Sequence, residues 1–217
     1  AFDTSHNGGR DAYVVKLSLV PELPSQDQLV YGTFLGGGPA NEGINSLAVN
    51  SRGDIFVAGF TWNAGFPTTP GAFDRIFHGA NDAFLTVLRS DLSLPAGEQL
   101  RYSTLFGSAA VDYPNALVLA SDSRVYLAGG TERGAVPVTP DAWRKAPQGN
   151  WEGFLAVFDI DVDAGTGELR HSTFLGGLDA TIDDTLYGLA IGGDGAIFLA
   201  ATTGACDLPV PETGFQP

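Results

Sequence analysis

The sequence predicts an all-β protein built from repeats, and three observations predict it. Two short apolar runs flanking a polar turn recur along the chain: Leu47-Ala48-Val49 and Ile55-Phe56-Val57-Ala58-Gly59, then Leu117-Val118-Leu119 and Val125-Tyr126-Leu127-Ala128-Gly129, then Leu189-Ala190-Ile191 and Ile197-Phe198-Leu199-Ala200. Each pair reads as a β-hairpin. The segment Asp11-Ala12-Tyr13 returns as Asp82-Ala83-Phe84 and Glu152-Gly153-Phe154, a period of about 70 residues, and a fixed period of that kind marks a repeat architecture. No segment sustains the apolar period of a helix.

Each unit can be justified element by element. Its first strand is Asp11 to Leu17, Asp82 to Leu85 or Glu152 to Leu155, rich in β-branched and aromatic residues. A polar connection follows (21–28, 95–99, 163–168), carrying proline in the first two units. The second strand is Tyr31 to Gly36, Tyr102 to Gly107 or His171 to Gly176. An acidic turn at Glu42, Asp112 or Asp183 leads into the hairpin, and a loop leads back to the next unit. The expected domain is a single array spanning 1–217, with repeats near 1–71, 72–141 and 142–217.

Four short strands per unit, apolar on both faces, cannot stand alone as a sheet. Propellers bury such sheets face to face around an axis, so the expected architecture is of β-propeller type with four-stranded antiparallel blades. A linear β-solenoid ranks second, because solenoid repeats are usually shorter. If the strand Leu47-Ala48-Val49 lies innermost, the chain holds two whole blades, Ile44 to Gly107 and Asn115 to Gly176, flanked by complementary half-blades. That falls short of the roughly 4 to 8 blades of a closed propeller. Two chains could close a ring, adjacent repeats of a longer chain could complete it, or the open edges could join end to end as a filament.

Composition narrows the partners. The chain is 44% hydrophobic, which suits a sizeable core. With 11 basic against 25 acidic residues, a net charge of −14 disfavours nucleic acid and anionic lipid. No apolar stretch is long enough to insert in a membrane as a helix. Cys206 is the single cysteine, expected as a buried small hydrophobe or a leftover thiol, so no internal disulfide forms. The absence of methionine, and an opening Ala1-Phe2-Asp3 in register with Ala72-Phe73-Asp74, suggest a piece of a longer parent.

Candidate chemistry is sparse. Asp159, Asp161 and Asp163 alternate along a strand, which could line up three carboxylates for Ca²⁺; a solvated strand end is the competing reading. Glu42, Asp112 and Asp183, with Asp11, Asp82 and Glu152, precede strands, where carboxylates commonly accept backbone N–H bonds. Arg52-Gly53-Asp54 is an RGD tripeptide at a hairpin tip, where an integrin-type receptor could reach it, but the equivalent turns lack it and a turn needing glycine at positive φ explains it. His6, His78 and His171 fall into no catalytic spacing, and Asp183-Asp184 would serve a glycosidase only with convergent partners. Trp62 and Trp143, in or beside the long loops, could stack on sugars or pack against the sheets; Trp151 poses the same choice.

The segments DAYVVKL (11–17), YGTFLGG (31–37), DIFVAGFT (54–61) and FPTTPGAFD (66–74) together resemble the bacterial SBBP family of seven-bladed β-propeller repeats. The likeness recurs through nearly the whole chain, with the loop weakening to VPVTPDAW (136–143) and LPVPETGF (208–215). It implies a propeller fold and an extracellular or cell-surface setting, and carries no active site. The expected function is a non-catalytic structural or interaction repeat protein that associates with itself by completing blades. A glycan- or protein-binding propeller is the alternative, and a lyase or glycosidase ranks third.

Overall fold

The computed structural model describes residues 1–121, 123–179 and 181–208. It is all-β, with 50% strand and 3% helix, arranged as four antiparallel sheets of which none closes into a barrel. Twelve strands follow in chain order: β1 Ala12–Leu17, β2 Leu29–Leu35, β3 Glu42–Val49, β4 Asp54–Thr61, β5 Asp82–Arg89, β6 Leu100–Phe106, β7 Val111–Leu119, β8 Arg124–Glu132, β9 Trp151–Asp161, β10 Thr166–Leu175, β11 Asp184–Ile191 and β12 Ile197–Thr203. β3-β4-β5-β6 and β7-β8-β9-β10 are four-stranded meanders; β1-β2 and β11-β12 are isolated hairpins.

Alternation along the strands builds the core. Ile55 and Val57 of β4 pack toward the first hairpin with Ala12, Val14 and Leu35. Phe56 and Ala58, one residue out of phase, pack with Phe154, Ala156 and Phe158 of the second meander. Each central sheet is therefore apolar on both faces, and successive sheets stack in chain order. The rings of Phe106 and Phe158 meet edge to face at 5.6 Å between centroids.

The connections differ as their prolines dictate. Where Pro21, Pro24 and Pro95 interrupt the first two units, the chain makes a 3₁₀ turn at Ser25–Asp27 and a single helical turn at Ala96–Gln99. The third unit lacks them, and β9 and β10 extend to 11 and 10 residues around a tight turn with Gly165 at φ +68°. Half of the expected polar connection there, 166–168, is thus paired strand: Thr166 lies opposite Asp161 and Glu168 opposite Asp159.

Candidate functional site

Two kinds of strand edge are already occupied. The loops before β5 and β9 run along the outer strands: Thr69 N–H donates to Ser103 O at 3.0 Å, and Leu105 N–H to Asp74 O at 3.0 Å. The same contacts recur as Thr139 to Ser172 and Phe174 to Arg144. β3, β7 and β11 each carry a β-bulge, at 44/46, 114/116 and 186/188. Asn45 Nδ2 donates from the first bulge to Pro114 O, and Asn115 Nδ2 from the second to Leu186 O, both at 2.9 Å.

The edges that remain belong to the two hairpins. Among the described residues, β1 pairs only with β2 and β12 only with β11. β1 matches β5 and β9 in sequence, whereas β12 matches β4 and β8, strands that pair with each other in the meanders. Among the described residues, the apolar side chains beside these edges lack cover. Ala12 and Val14 are buried, but Tyr13, Val15 and Leu17 are 51%, 43% and 56% exposed, and Phe198 of β12 is 60% exposed. An open edge flanked by apolar side chains is a template for another strand.

Between the sheets lies a second recurring feature, an acidic ladder. Glu42 stands opposite Thr61 and Thr61 opposite Asp82; Asp112 opposite Thr131 and Thr131 opposite Glu152; Asp184 opposite Thr203. Parallel bridges Arg10–Asn41, Asn81–Val111 and Trp151–Asp183 then bring Asp11 beside Glu42, Asp82 beside Asp112 and Glu152 beside Asp184. Asp82, Asp112 and Glu152 are fully buried, and Glu42 and Asp184 are 3% exposed. Burial, helped by the neighbouring Asp112, pushes Asp82 up to about 6; burial likewise raises Asp112 and Glu42. The outer oxygens accept backbone bonds, from Asn7 N–H to Asp11, His78 N–H to Asp82 and Gln148 N–H to Glu152.

The predicted site residues separate rather than converge. Asp159 is held by Arg124 at 2.6 Å, and Asp163 by Arg52 at 2.8 Å and Arg89 at 3.1 Å. Asp161 accepts the N–H groups of Asp163 and Ala164, which closes the turn. Among the described residues, no three Asp, Glu, His or Cys side chains are gathered so as to hold a metal. Gly53 of the RGD tripeptide has φ +83°, as its tight turn requires, and Asp54 is 1% exposed, ion-paired with Arg89 at 2.7 Å. Its carboxylate is thus turned inward.

Trp62 and Trp143 stand in different units, 49% and 56% exposed. Trp143 carries the Arg144 guanidinium over its ring at 5.1 Å, which ties it to the sheet junction. Trp151 stacks on Tyr113 at 6.2 Å. His171 Nδ1 contacts both Asp141, at 3.1 Å, and Thr139, at 3.5 Å; with both on one nitrogen it cannot relay a proton between them. Cys206 is an exposed free thiol rather than a buried residue. Asp184, not Asp183, takes the third acidic slot, and Asp183 accepts from Asn150 Nδ2 at 3.1 Å. The segment 209–217, which holds most of LPVPETGF, lies outside the described residues.

Sequence reasoning missed two features. Arg144 donates to Glu152 Oε1 at 3.1 Å and to Gly177 O at 2.7 Å, supplying a cation to one acidic junction. Tyr113, Trp151 and Tyr187 line a pocket together with Asn115, Asp183 and Thr185. The repeat of Asp3 and Asp74 at this position, broken by arginine, was the available signal for the first. Compared with known proteins, the chain matches no family model and no curated protein.

Proposed function

We propose that this chain is a non-catalytic, extracellular or cell-surface repeat protein of β-propeller type whose hairpins complete blades between copies of itself. The two meanders are the whole blades, and the hairpins are complementary halves. β12 of one copy pairs antiparallel with β1 of the next, as β4 pairs with β5. Extending the registers Thr61–Asp82 and Thr131–Glu152 sets Thr203 opposite Asp11, Ala201 opposite Tyr13 and Ile197 opposite Leu17.

The observation that carries this reading is the match between open edges and uncovered apolar residues. In the proposed joint, Tyr13, Val15 and Leu17 are covered by the second meander of the neighbouring copy. Phe198 is covered by the first meander of the copy that donates β1. Each side thus brings side chains the other needs, and main-chain pairing supplies the direction. Adjacent repeats of a longer chain would engage the same edges. Light scattering with negative-stain imaging tests the proposal: particles of about twice the 22.6 kDa chain mean a closed ring, and long polymers mean a filament. A strict monomer at high concentration overturns both.

A second reading, a glycan-binding propeller, draws on one observation, the aromatic pocket of Tyr113, Trp151 and Tyr187. Aromatic faces beside amide and carboxylate groups suit sugar stacking and hydrogen bonding. Retardation in polysaccharide affinity gels, lost in Tyr187→Ala, would favour it; unretarded migration in a broad set of gels would remove it.

A further inference from the structure

The acidic junctions repeat a four-residue pattern whose third copy contains its own cation. The first copy is Asp3, Asn7, Asp11 and Glu42; the second is Asp74, His78, Asp82 and Asp112; the third is Arg144, Gln148, Glu152 and Asp184. Hydrogen bonds establish the equivalence. Asp3, Asp74 and Arg144 hold equivalent places, their main-chain N–H groups donating to Thr33, Thr104 and Thr173 Oγ1. Asn7, His78 and Gln148 each donate a main-chain N–H to the following carboxylate. In the third copy the guanidinium bridges Glu152 Oε1 and Gly177 O. In the other two the slot holds a carboxylate.

In those two junctions four carboxylate oxygens converge, and Asp112 Oδ2 alone of the four is satisfied, accepting from Ser108 N–H at 2.7 Å and from Ser108 Oγ at 3.1 Å. A Cβ built on Gly107 would lie 2.8 Å from Asp82 Oδ1 and 3.0 Å from Asp112 Oδ2; one on Gly36 would lie 3.0 Å from Asp11 Oδ1 and 3.2 Å from Glu42 Oε2. Asp82 Oδ1, Asp11 Oδ1 and Glu42 Oε2 are buried without a hydrogen-bond partner; in the third junction Asp184 Oδ1 is too, but Glu152 Oε1, the counterpart of Asp82 Oδ1 and Asp11 Oδ1 against the glycine, is paired with Arg144. His78 leans outward to Asp74 at 2.7 Å. Paired carboxylates in a low-dielectric setting are relieved either by taking up a proton or by a bound counter-charge.

We infer that the first two junctions each bind a hard divalent cation of the Ca²⁺ class in the position the Arg144 guanidinium fills in the third. The side-chain ligands are Asp11 with Glu42, and Asp82 with Asp112. Gly37 O and Ser108 O, the counterparts of Gly177 O, offer main-chain oxygens, and water completes a coordination shell that two carboxylates alone do not fill. This assigns a site apart from the open edges, and apart from Asp159, Asp161 and Asp163.

The test is calorimetric titration of the chelator-treated full chain with CaCl₂, and separately with MgCl₂, backed by thermal unfolding. The expected result is two saturable Ca²⁺ equivalents per chain and a Ca²⁺-dependent rise in Tm. Asp3→Arg and Asp74→Arg, which copy the third junction, each remove one equivalent, and the double variant removes both while keeping a high Tm without Ca²⁺. Asp161→Asn leaves the count at two. No saturable uptake overturns the inference, as does a count that Asp3→Arg and Asp74→Arg leave unchanged or that Asp161→Asn lowers.

Discussion

Replacing Val15 by aspartate tests the joint without attacking the fold. Val15 is 43% exposed in the single chain, on the side of β1 that faces away from the first meander, so the change leaves the core residues Ala12 and Val14 in place. Surface substitutions of this kind usually shift stability by about 0.5 kcal/mol or less. In the joint, the exposed portion of the valine is worth about 1 kcal/mol, from the roughly 1.5–3 kcal/mol of full burial. Setting an unpaired carboxylate in the same place adds a desolvation cost of several kcal/mol. A combined loss of about 4 kcal/mol weakens association by on the order of 10³-fold. Sedimentation velocity over a concentration series reads this directly, with Leu178→Asp, an exposed loop position, as the control. If Val15→Asp assembles at the same concentration as the unaltered chain while its Tm is unchanged, the joint is not where the argument puts it.

Other consequences concern the single chain. Phe158→Ala empties a site fully buried between the two meanders and contacted by Phe73 and Phe106; denaturant unfolding should show a loss of about 3–5 kcal/mol. Arg144→Gln strips the guanidinium from the fully buried Glu152, and a loss of about 3 kcal/mol in the same assay is expected; a change within experimental error would mean the ion pair is energetically idle. Asn115→Ala deletes the bond from the β7 bulge to Leu186 O, costing about 1 kcal/mol and speeding amide exchange in β11 ahead of the meanders. Asp54→Ala should lower stability by about 3 kcal/mol through its buried pair with Arg89, and leave cell attachment to coated surfaces unchanged, because the carboxylate faces inward.

The hairpins were legible because Ile55, Phe56, Val57 and Ala58 alternate between two apolar neighbours, and a period of two is the most direct signal a strand leaves. The split into two meanders and two hairpins was equally legible, since β1 corresponds in sequence to the third strand of each meander and β12 to the second. The edge-covering loops were not legible: nothing in Thr69 or Thr139 announces a hydrogen bond to an outer strand. Asp183 and Asp184 are adjacent acids that differ only in which face of the strand they occupy, and the turn before β11 is longer than its counterparts, Asp184 lying eight positions after Gly176 where Asp112 lies five after Gly107 and Glu42 six after Gly36. Arg144 was overlooked for a different reason. Read alone, VPVTPDAWR is a worn copy of FPTTPGAFD, whereas beside Glu152 the exchange of Asp for Arg reverses the charge at a buried junction. Asp159, Asp161 and Asp163 misled through regular spacing, since alternation aligns side chains but says nothing of the arginines on neighbouring strands.

Mixed-chain cross-linking tests strand complementation most directly. One preparation carries Tyr13→Cys and the other Ala201→Cys, both with Cys206→Ser; they are mixed, dissociated, reassembled and oxidised. Opposed residues on antiparallel strands lie about 4.5–5.5 Å apart, within disulfide reach. The account predicts a covalent species joining the two preparations, at twice the 22.6 kDa chain mass in non-reducing gels, and none when Tyr13→Cys is mixed with Leu178→Cys. An assembled particle in which Tyr13→Cys and Ala201→Cys fail to cross-link would contradict it.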